Sequence, residues 1–256
     1  MDPDALAQAL YDARRTRVPI RPLTETVPEM TVADAYAVQQ RLVERLMADG
    51  DRLVGFKLGL TSRPMQEMFG VDQPDYGPLL SSMVLSDGVE VDLGGFIQPK
   101  IEAEIALVLE RPLRGPGVTG VEAARAVGGA VAALELVDSR IADWKIALPD
   151  TIADLASCGA AILSSRIVPV DFEPRLVGMV IDHNGAAVAT GAGAAALGDP
   201  LAAVAWLANT LAPYDVTLEP GHLIMTGSLH AAFDVSPGDV VRADFDRLGS
   251  VSVRFR

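Results

Sequence analysis

One cysteine, Cys158, is all that the 256-residue chain carries. That excludes an internal disulfide and any cysteine-rich zinc site. No histidine stands near it in sequence, so Cys158 reads as a small buried thiol rather than a nucleophile. Histidine is nearly as sparse. His183, His222 and His230 are scattered, and no zinc-binding spacing joins them. His183, beside Asn184-Gly185, reads as part of a hairpin turn. Aromatic residues are only 5% of a chain that is 50% hydrophobic, so Ala, Val and Leu must fill most of the core. No apolar run approaches the length a membrane helix needs. Met1-Asp2-Pro3-Asp4 lacks the basic-then-apolar pattern of a signal peptide, so a cytoplasmic location is the expectation. Positive charge is also short, with a formal net charge of -13. Such a surface repels phosphate backbones and anionic lipid heads, which sets aside nucleic acid and membranes as partners. An anionic substrate would then need a local positive device, either a bound metal ion or a buried lysine.

What is present divides into a helical beginning and a β-rich remainder. Asp2 and Asp4 flank Pro3 at a helix start, followed by Leu6, Leu10 and Ala13. Thr31 and Asp34 form a capping-box pair, and apolar residues recur at helical spacing from Val32 to Leu46 before Gly50. From Leu53 onward the texture is short strands and turns. The division expected is a helical part over 1–52 and a β-rich catalytic core over 53–256, together one domain. Pro99 lacks a donor, so a strand should begin at Lys100 and run through Ile101–Leu109. Ala132–Val137 reads as another strand. Helices are expected from Thr119 and from Asp199-Pro200 to Leu211. The end of the chain alternates through Val240, Arg242 and Asp244, turns at Gly249, and resumes at Val251, Val253 and Phe255. The class is α+β, with a mixed or antiparallel β core.

Glu102 and Glu104 stand two apart in an otherwise apolar strand, so both side chains fall on one face. Two adjacent carboxylates repel and are costly to bury, and a hard cation between them offsets both effects. Glu135 is a third carboxylate in an apolar run, Ala132–Val137. Together they would make an oxygen-rich Mg²⁺ or Mn²⁺ site, although a solvated strand face carries the same pattern. Lys57 lies in Val54-Gly55-Phe56-Lys57-Leu58-Gly59-Leu60. It is either a desolvated group for proton transfer or carboxylate binding, or a snorkelling surface lysine. Asp75, in Gln73-Pro74-Asp75-Tyr76-Gly77, has the chemistry of a turn. Gly191–Gly198 has no phosphate-loop lysine and reads as a tight turn before a helix.

These segments, in this order, resemble the 2-hydroxypenta-2,4-dienoate (2-keto-4-pentenoate) hydratases of the fumarylacetoacetate hydrolase-like superfamily. The resemblance rests on Gly55–Ser62, Gly70–Gly77, Pro99–Ala106, Leu134–Trp144, Gly191–Gly198, Ala205–Asn209 and Thr226–Ser228. It implies a mixed β-roll core with an N-terminal helical part. It implies that Glu102, Glu104 and Glu135 bind Mg²⁺ or Mn²⁺. Lys57 and Asp75 would be catalytic, and Gly227 and Ser228 would contact a small 2-oxo or 2-hydroxy-dienoate. The activity implied is metal-dependent hydration to 4-hydroxy-2-oxopentanoate in aromatic meta-cleavage degradation. The assembly implied is a homo-oligomer, with association with a pathway decarboxylase or aldolase. The alternatives are 2-oxo-3-hexenedioate (4-oxalocrotonate) decarboxylase and a non-catalytic partner subunit of such a complex. One position departs from the family pattern. Leu155 stands where these hydratases usually have Asn, and a less polar pocket suited to an uncharged tail is the expectation from it.

Overall fold

The computed structural model describes residues 1–256. The N-terminal part is helical, as the caps require. Asp2 accepts from the amides of Asp4 and Ala5 to start α1 (Pro3–Thr16). A single turn, α2 (Leu23–Thr26), precedes α3 (Val32–Ala48), which opens in the reciprocal Thr31–Asp34 box. Then come β1 (Leu53–Gly59), α4 (Arg63–Phe69), β2 (Asp75–Leu80), β3 (Val84–Ser86), β4 (Val89–Val91) and β5 (Lys100–Leu109). The middle of the chain forms α5 (Gly120–Ala126), β6 (Val127–Val137), α6 (Leu148–Ala153) and β7 (Cys158–Leu163). The last part forms β8 (Gly178–His183), β9 (Ala186–Ala192), α7 (Pro200–Leu211), β10 (Leu223–Ser228), β11 (Phe233–Asp234), β12 (Val240–Phe245) and β13 (Gly249–Phe255). No helix is long and apolar enough to cross a membrane.

The strands make two mixed sheets. The larger runs β2-β1-β10-β5-β6-β7-β3, with β11 added beside β5. Its β1–β10 and β3–β7 pairs are parallel and the others antiparallel. The smaller runs β4-β13-β12-β8-β9. In β12, Val241, Ala243 and Phe245 are buried while Val240, Arg242 and Asp244 face out, as the period-two alternation requires. Asn184 and Gly185 both take positive φ (54° and 83°), the turn that closes β8 and β9 into a hairpin.

The larger sheet is buried on both faces. One face joins the smaller sheet, α5 and α7 in a cluster of 39 buried residues. The other joins α1, α3 and α6 in a cluster of 21. Strands buried on both sides read as continuous apolar runs, which is why β5 and β6 stand out in the sequence. β6 begins at Val127, five residues before the expected Ala132. Gly128 and Gly129 hide its start, since glycine weakens strand patterning. A Cβ on Gly128 would come 2.7 Å from Glu110 Cβ, and one on Gly129 would come 2.3 Å from Ile167 Cγ2. Asp75 is not the exposed turn residue its neighbours suggest. It opens strand β2 and is 1% exposed.

Candidate active site

Alternation along β5 and β6 decides where the acids go. Ile101, Ala103, Ile105 and Leu107 point into the cluster between the sheets, and Ala106 into the helix-side cluster. Glu102 and Glu104 continue the Ala106 face. On β6, Leu134 and Leu136 join the first cluster and Val131 and Ala133 the second, so Glu135 continues the helix side too. Glu102 and Glu135 are direct partners across the ladder. Carboxylate oxygens of Glu102, Glu104 and Glu135 lie within 4.8 Å of one another. Glu104 and Glu135 are fully buried.

Lys57 reaches the same point from β1. Its neighbours Phe56 and Leu58 bury in the cluster between the sheets, which leaves Lys57 on the acid face. Its Nζ lies 3.3 Å from Glu135 Oε1 and donates to the carbonyl of Ala156 at 2.9 Å. Strands β10 and β5 stand between β1 and β6, so the sheet must curl strongly to close this contact. At 4% exposure Lys57 is no snorkelling residue. Burial alone would lower its pKa, but Glu135 and Asp75 outweigh that and raise it, so the ammonium stays charged.

The carboxylates are held the opposite way. Burial first, then Glu135, pushes Glu102 up to about 7. The same causes raise Glu104 well above the carboxylate range. Burial pushes Asp75 up to about 6, with Lys57 opposing. Both oxygens of Asp75, both of Glu135 and Oε1 of Glu104 are buried without a hydrogen-bond partner. Unpartnered buried carboxylate oxygens are costly, and one ammonium does not balance this many acids. Hard oxygen donors with spare negative charge suit a divalent cation of the Mg²⁺, Mn²⁺ or Ca²⁺ kind. The donor set therefore fits such an ion.

Backbone details hold this cluster. Asp75 pairs with Gly59 in the β1–β2 ladder, and a Cβ on Gly59 would sit 2.2 Å from Asp75 Oδ1. Gly227, at φ +111°, lies against Thr61, and its amide donates to Glu104 Oε2 at 2.9 Å. Gly227 thus grips a carboxylate of the cluster rather than lining the cavity. Ser228 does line it, with its hydroxyl donating to the carbonyl of His230 at 2.5 Å. Residues 155–157 all take positive φ, an arrangement that points the Ala156 carbonyl at Lys57. Buried Arg140 clamps the start of this turn, from Nε to Asp154 Oδ1 at 2.5 Å and from Nη2 to the Asp154 carbonyl at 2.8 Å. The expectation for Leu155 fails here. Its side chain is fully buried in the helix-side cluster and does not line the cavity. What its position contributes is a left-handed backbone conformation, which Asn tolerates better than Leu.

Above the cluster opens a cavity of about 930 Å³. Lys57, Asp75, Glu102 and Ser228 are among its lining residues, and much of the remaining wall is apolar, including Met65, Phe69, Trp144 and Leu148. Sequence reasoning did not assign Met65, Phe69 and Leu148 to these walls, because α4 and α6 are too short to show a helical period. It also missed Lys100, a second ammonium in the lining. Lys100 is two residues before Glu102 and so on the same strand face, which was the available signal. Its Nζ is paired with Asp234 at 2.5 Å and stands 6.0 Å from the Trp144 ring centroid.

Residues 65–256 match the family model described as fumarylacetoacetate (FAA) hydrolase C-terminal. The chain is 46% identical over 250 residues to a 2-keto-4-pentenoate hydratase of Paraburkholderia xenovorans, covering 97% of this chain and 93% of that one. It is 41% identical over 257 residues to a 2-oxo-hept-4-ene-1,7-dioate hydratase of Escherichia coli, covering 98% and 96%. Among solved structures it is similar to the 4-oxalocrotonate decarboxylase of Pseudomonas putida G7 complexed with magnesium and adipate. The TM-score there is 0.97 at 40% identity, covering 99% of this chain and 97% of that one.

Proposed function

Because the chain belongs to the fumarylacetoacetate (FAA) hydrolase family, we propose that it is a metal-dependent hydratase of a small 2-hydroxy-2,4-dienoate. The substrate is 2-hydroxypenta-2,4-dienoate or a short alkyl homologue, and the product is the 4-hydroxy-2-oxo acid. One juxtaposition carries the proposal: three carboxylates and a buried ammonium converge beneath a largely apolar cavity. The 46% identical hydratase relative supports water addition as the outcome.

In this reading Glu102, Glu104 and Glu135 hold Mg²⁺ or Mn²⁺. When bound, such an ion polarises the substrate's carboxylate and 2-oxygen and stabilises enolate charge. The remaining work falls to the chain. Lys57, kept charged by Glu135 and Asp75, is a poor base. It supplies a fixed positive charge toward the carboxylate and 2-oxygen of the substrate. Asp75, with both oxygens unpartnered and its pKa near 6, exchanges the proton that converts the dienol to the 2-oxo-3-enoate. Gly59 leaves room for that carboxylate, and Ser228 orients the substrate. The apolar wall receives the uncharged tail, and the cavity is large enough to admit beside it the water that adds at C4.

Lys100 bears on the rival decarboxylase, whose substrate carries a second carboxylate. Its charge is already met by Asp234, so a distal carboxylate would have to displace that partner. The test is a spectroscopic assay with 2-hydroxypenta-2,4-dienoate and oxalocrotonate side by side, with and without metal. Hydration of the monocarboxylate with poor turnover of oxalocrotonate is expected. Rapid carbon dioxide release from oxalocrotonate with no hydration of the pentadienoate would replace hydratase by decarboxylase.

A further inference from the structure

A second cavity, of about 360 Å³, lies away from the carboxylate cluster, between the end of α1 and strands β3, β4 and β7. It contains a charge that nothing in the chain satisfies. Arg14 is half-buried as a residue, with its guanidinium sunk into the cavity wall. It joins no ion pair, and its one hydrogen bond is a long one, 3.5 Å from Nη1 to the carbonyl of Cys158. That carbonyl is shared with Arg140 Nη1 at 3.3 Å, so two guanidinium groups crowd one acceptor.

The nearby carboxylates are committed elsewhere. Asp154 is held by Arg140. Asp138 accepts from the amides of Ile97 and Gln98 at 3.1 and 2.8 Å. On the rim, Glu90 and Asp92 turn toward Arg256 at 3.6 and 3.7 Å. Burial and the neighbouring Arg140 push Arg14 down to about 10, as an uncompensated buried cation requires. Five guanidinium donors with one long bond leave a planar fork free, and a carboxylate matches that fork in two parallel bonds. The rest of the lining sets the body of the ligand, since Leu85, Val91, Phe96 and Ala160 are apolar. A net charge of -13 opposes polyanions, and although Arg17, Arg140 and Ser82 also line the cavity, the carboxylates of Glu90, Asp92 and Asp138 in the same lining oppose a second negative charge on the ligand.

We propose that this cavity is a second ligand site, in which Arg14 binds the carboxylate of a small organic monocarboxylic acid and the apolar wall takes its short alkyl body. The site is independent of the hydration chemistry and stands whether or not that assignment does.

The test is thermal unfolding of the whole chain in chelator, where the acid triad repels anions. Sodium chloride, sodium butyrate and sodium phosphate are compared at equal ionic strength. Butyrate at tenfold its half-saturating concentration should raise the wild-type midpoint by roughly 3–6 °C over chloride. Arg14→Leu removes an unpaired buried cation, so in chloride it should melt no lower than wild type, and its butyrate response should vanish. Arg14→Gln should lose the response in the same way, which guards against a local packing fault in one variant. Three results would overturn the proposal. In one, wild type ignores butyrate and Arg14→Leu melts well below it, which makes Arg14 a structural cation. In another, phosphate stabilises as strongly as butyrate, so that a carboxylate is not selected. In the third, Arg14→Leu changes the assembled mass in light scattering, which assigns Arg14 to a contact between copies.

Discussion

Lys57→Met removes the one ammonium among Glu102, Glu104, Glu135 and Asp75 while nearly keeping side-chain volume. Breaking a buried ion pair from one side costs about 3–5 kcal/mol, because the abandoned charge stays desolvated. Here the abandoned group is Glu135, fully buried with neither oxygen hydrogen-bonded, so the upper part of that range applies. At about 2–4 °C per kcal/mol for a chain of this size, about 4–5 kcal/mol should lower the midpoint in chelator by on the order of 8–20 °C. The sign of the pH dependence follows from the raised carboxyl groups. Glu102 moves from the usual 4.5 to about 7 and Asp75 from 3.8 to about 6. A carboxyl raised in the folded state stabilises it in acid, and that contribution is lost as pH rises through the folded pKa. Metal-free wild type should therefore lose stability between about pH 4 and pH 7, and Lys57→Met should lose more over the same window. Adding Glu135→Gln to Lys57→Met removes the stranded charge and should recover part of the loss. The coupling would exceed roughly 1 kcal/mol, as expected for groups in contact. Calorimetry of the four proteins in chelator measures all of this. If Lys57→Met melts within about 2 °C of wild type, or the two substitutions simply add, the proposed balance of charge is wrong.

Three further outcomes are expected. Glu102→Gln should weaken Mg²⁺ or Mn²⁺ binding by at least about tenfold in isothermal titration and lower turnover, whereas unchanged metal affinity would remove Glu102 from the ligand set. Gly59→Ala drives a methyl group against Asp75 Oδ1 and should cut kcat by roughly a hundredfold with a folded circular dichroism spectrum, and a purely KM effect would show Asp75 to be a binding group. Leu155→Asn relaxes a left-handed backbone but gives up core packing, so it should destabilise by about 1–3 kcal/mol. The same substitution should leave the pentadienoate-to-oxalocrotonate activity ratio unchanged, and a shifted ratio would return that side chain to the cavity.

Much of the fold was legible because its signals are local. The Thr31–Asp34 and Thr119–Glu122 capping boxes, the donorless Pro99 and the Asn184-Gly185 turn each act over a few residues. Within the site, the spacing of Glu102 and Glu104 placed both on one face because a strand has period two. The convergence of Glu135 and Lys57 on them depends on curl across four strands, which no window of sequence contains. The local pattern around Asp75 shows only a turn for the same reason. Gln73-Pro74 does look like a turn, and only the β1–β2 pairing buries the residue that follows. Leu155 shows the converse error, in which a change of side-chain polarity was read where the position matters through its backbone.

The place of β10 in the larger sheet has a consequence for how the chain folds. This strand separates β1, which carries Lys57, from β5, which carries Glu102 and Glu104, and it comes late in the sequence. The hairpin of β5 and β6 can form early, since its strands are near neighbours in the chain. It brings Glu102 and Glu135 opposite each other before any ammonium is at hand. Lys57 arrives only when residues 223–228 insert between the two halves, and a long loop must be closed to do that. An intermediate lacking β10 would hold clustered carboxylates with no counter-charge, so it is disfavoured until the final insertion or until a cation binds. Acid-side refolding and divalent cations would both ease the passage through that stage, and the sheet closes around its charge balance rather than acquiring it afterwards.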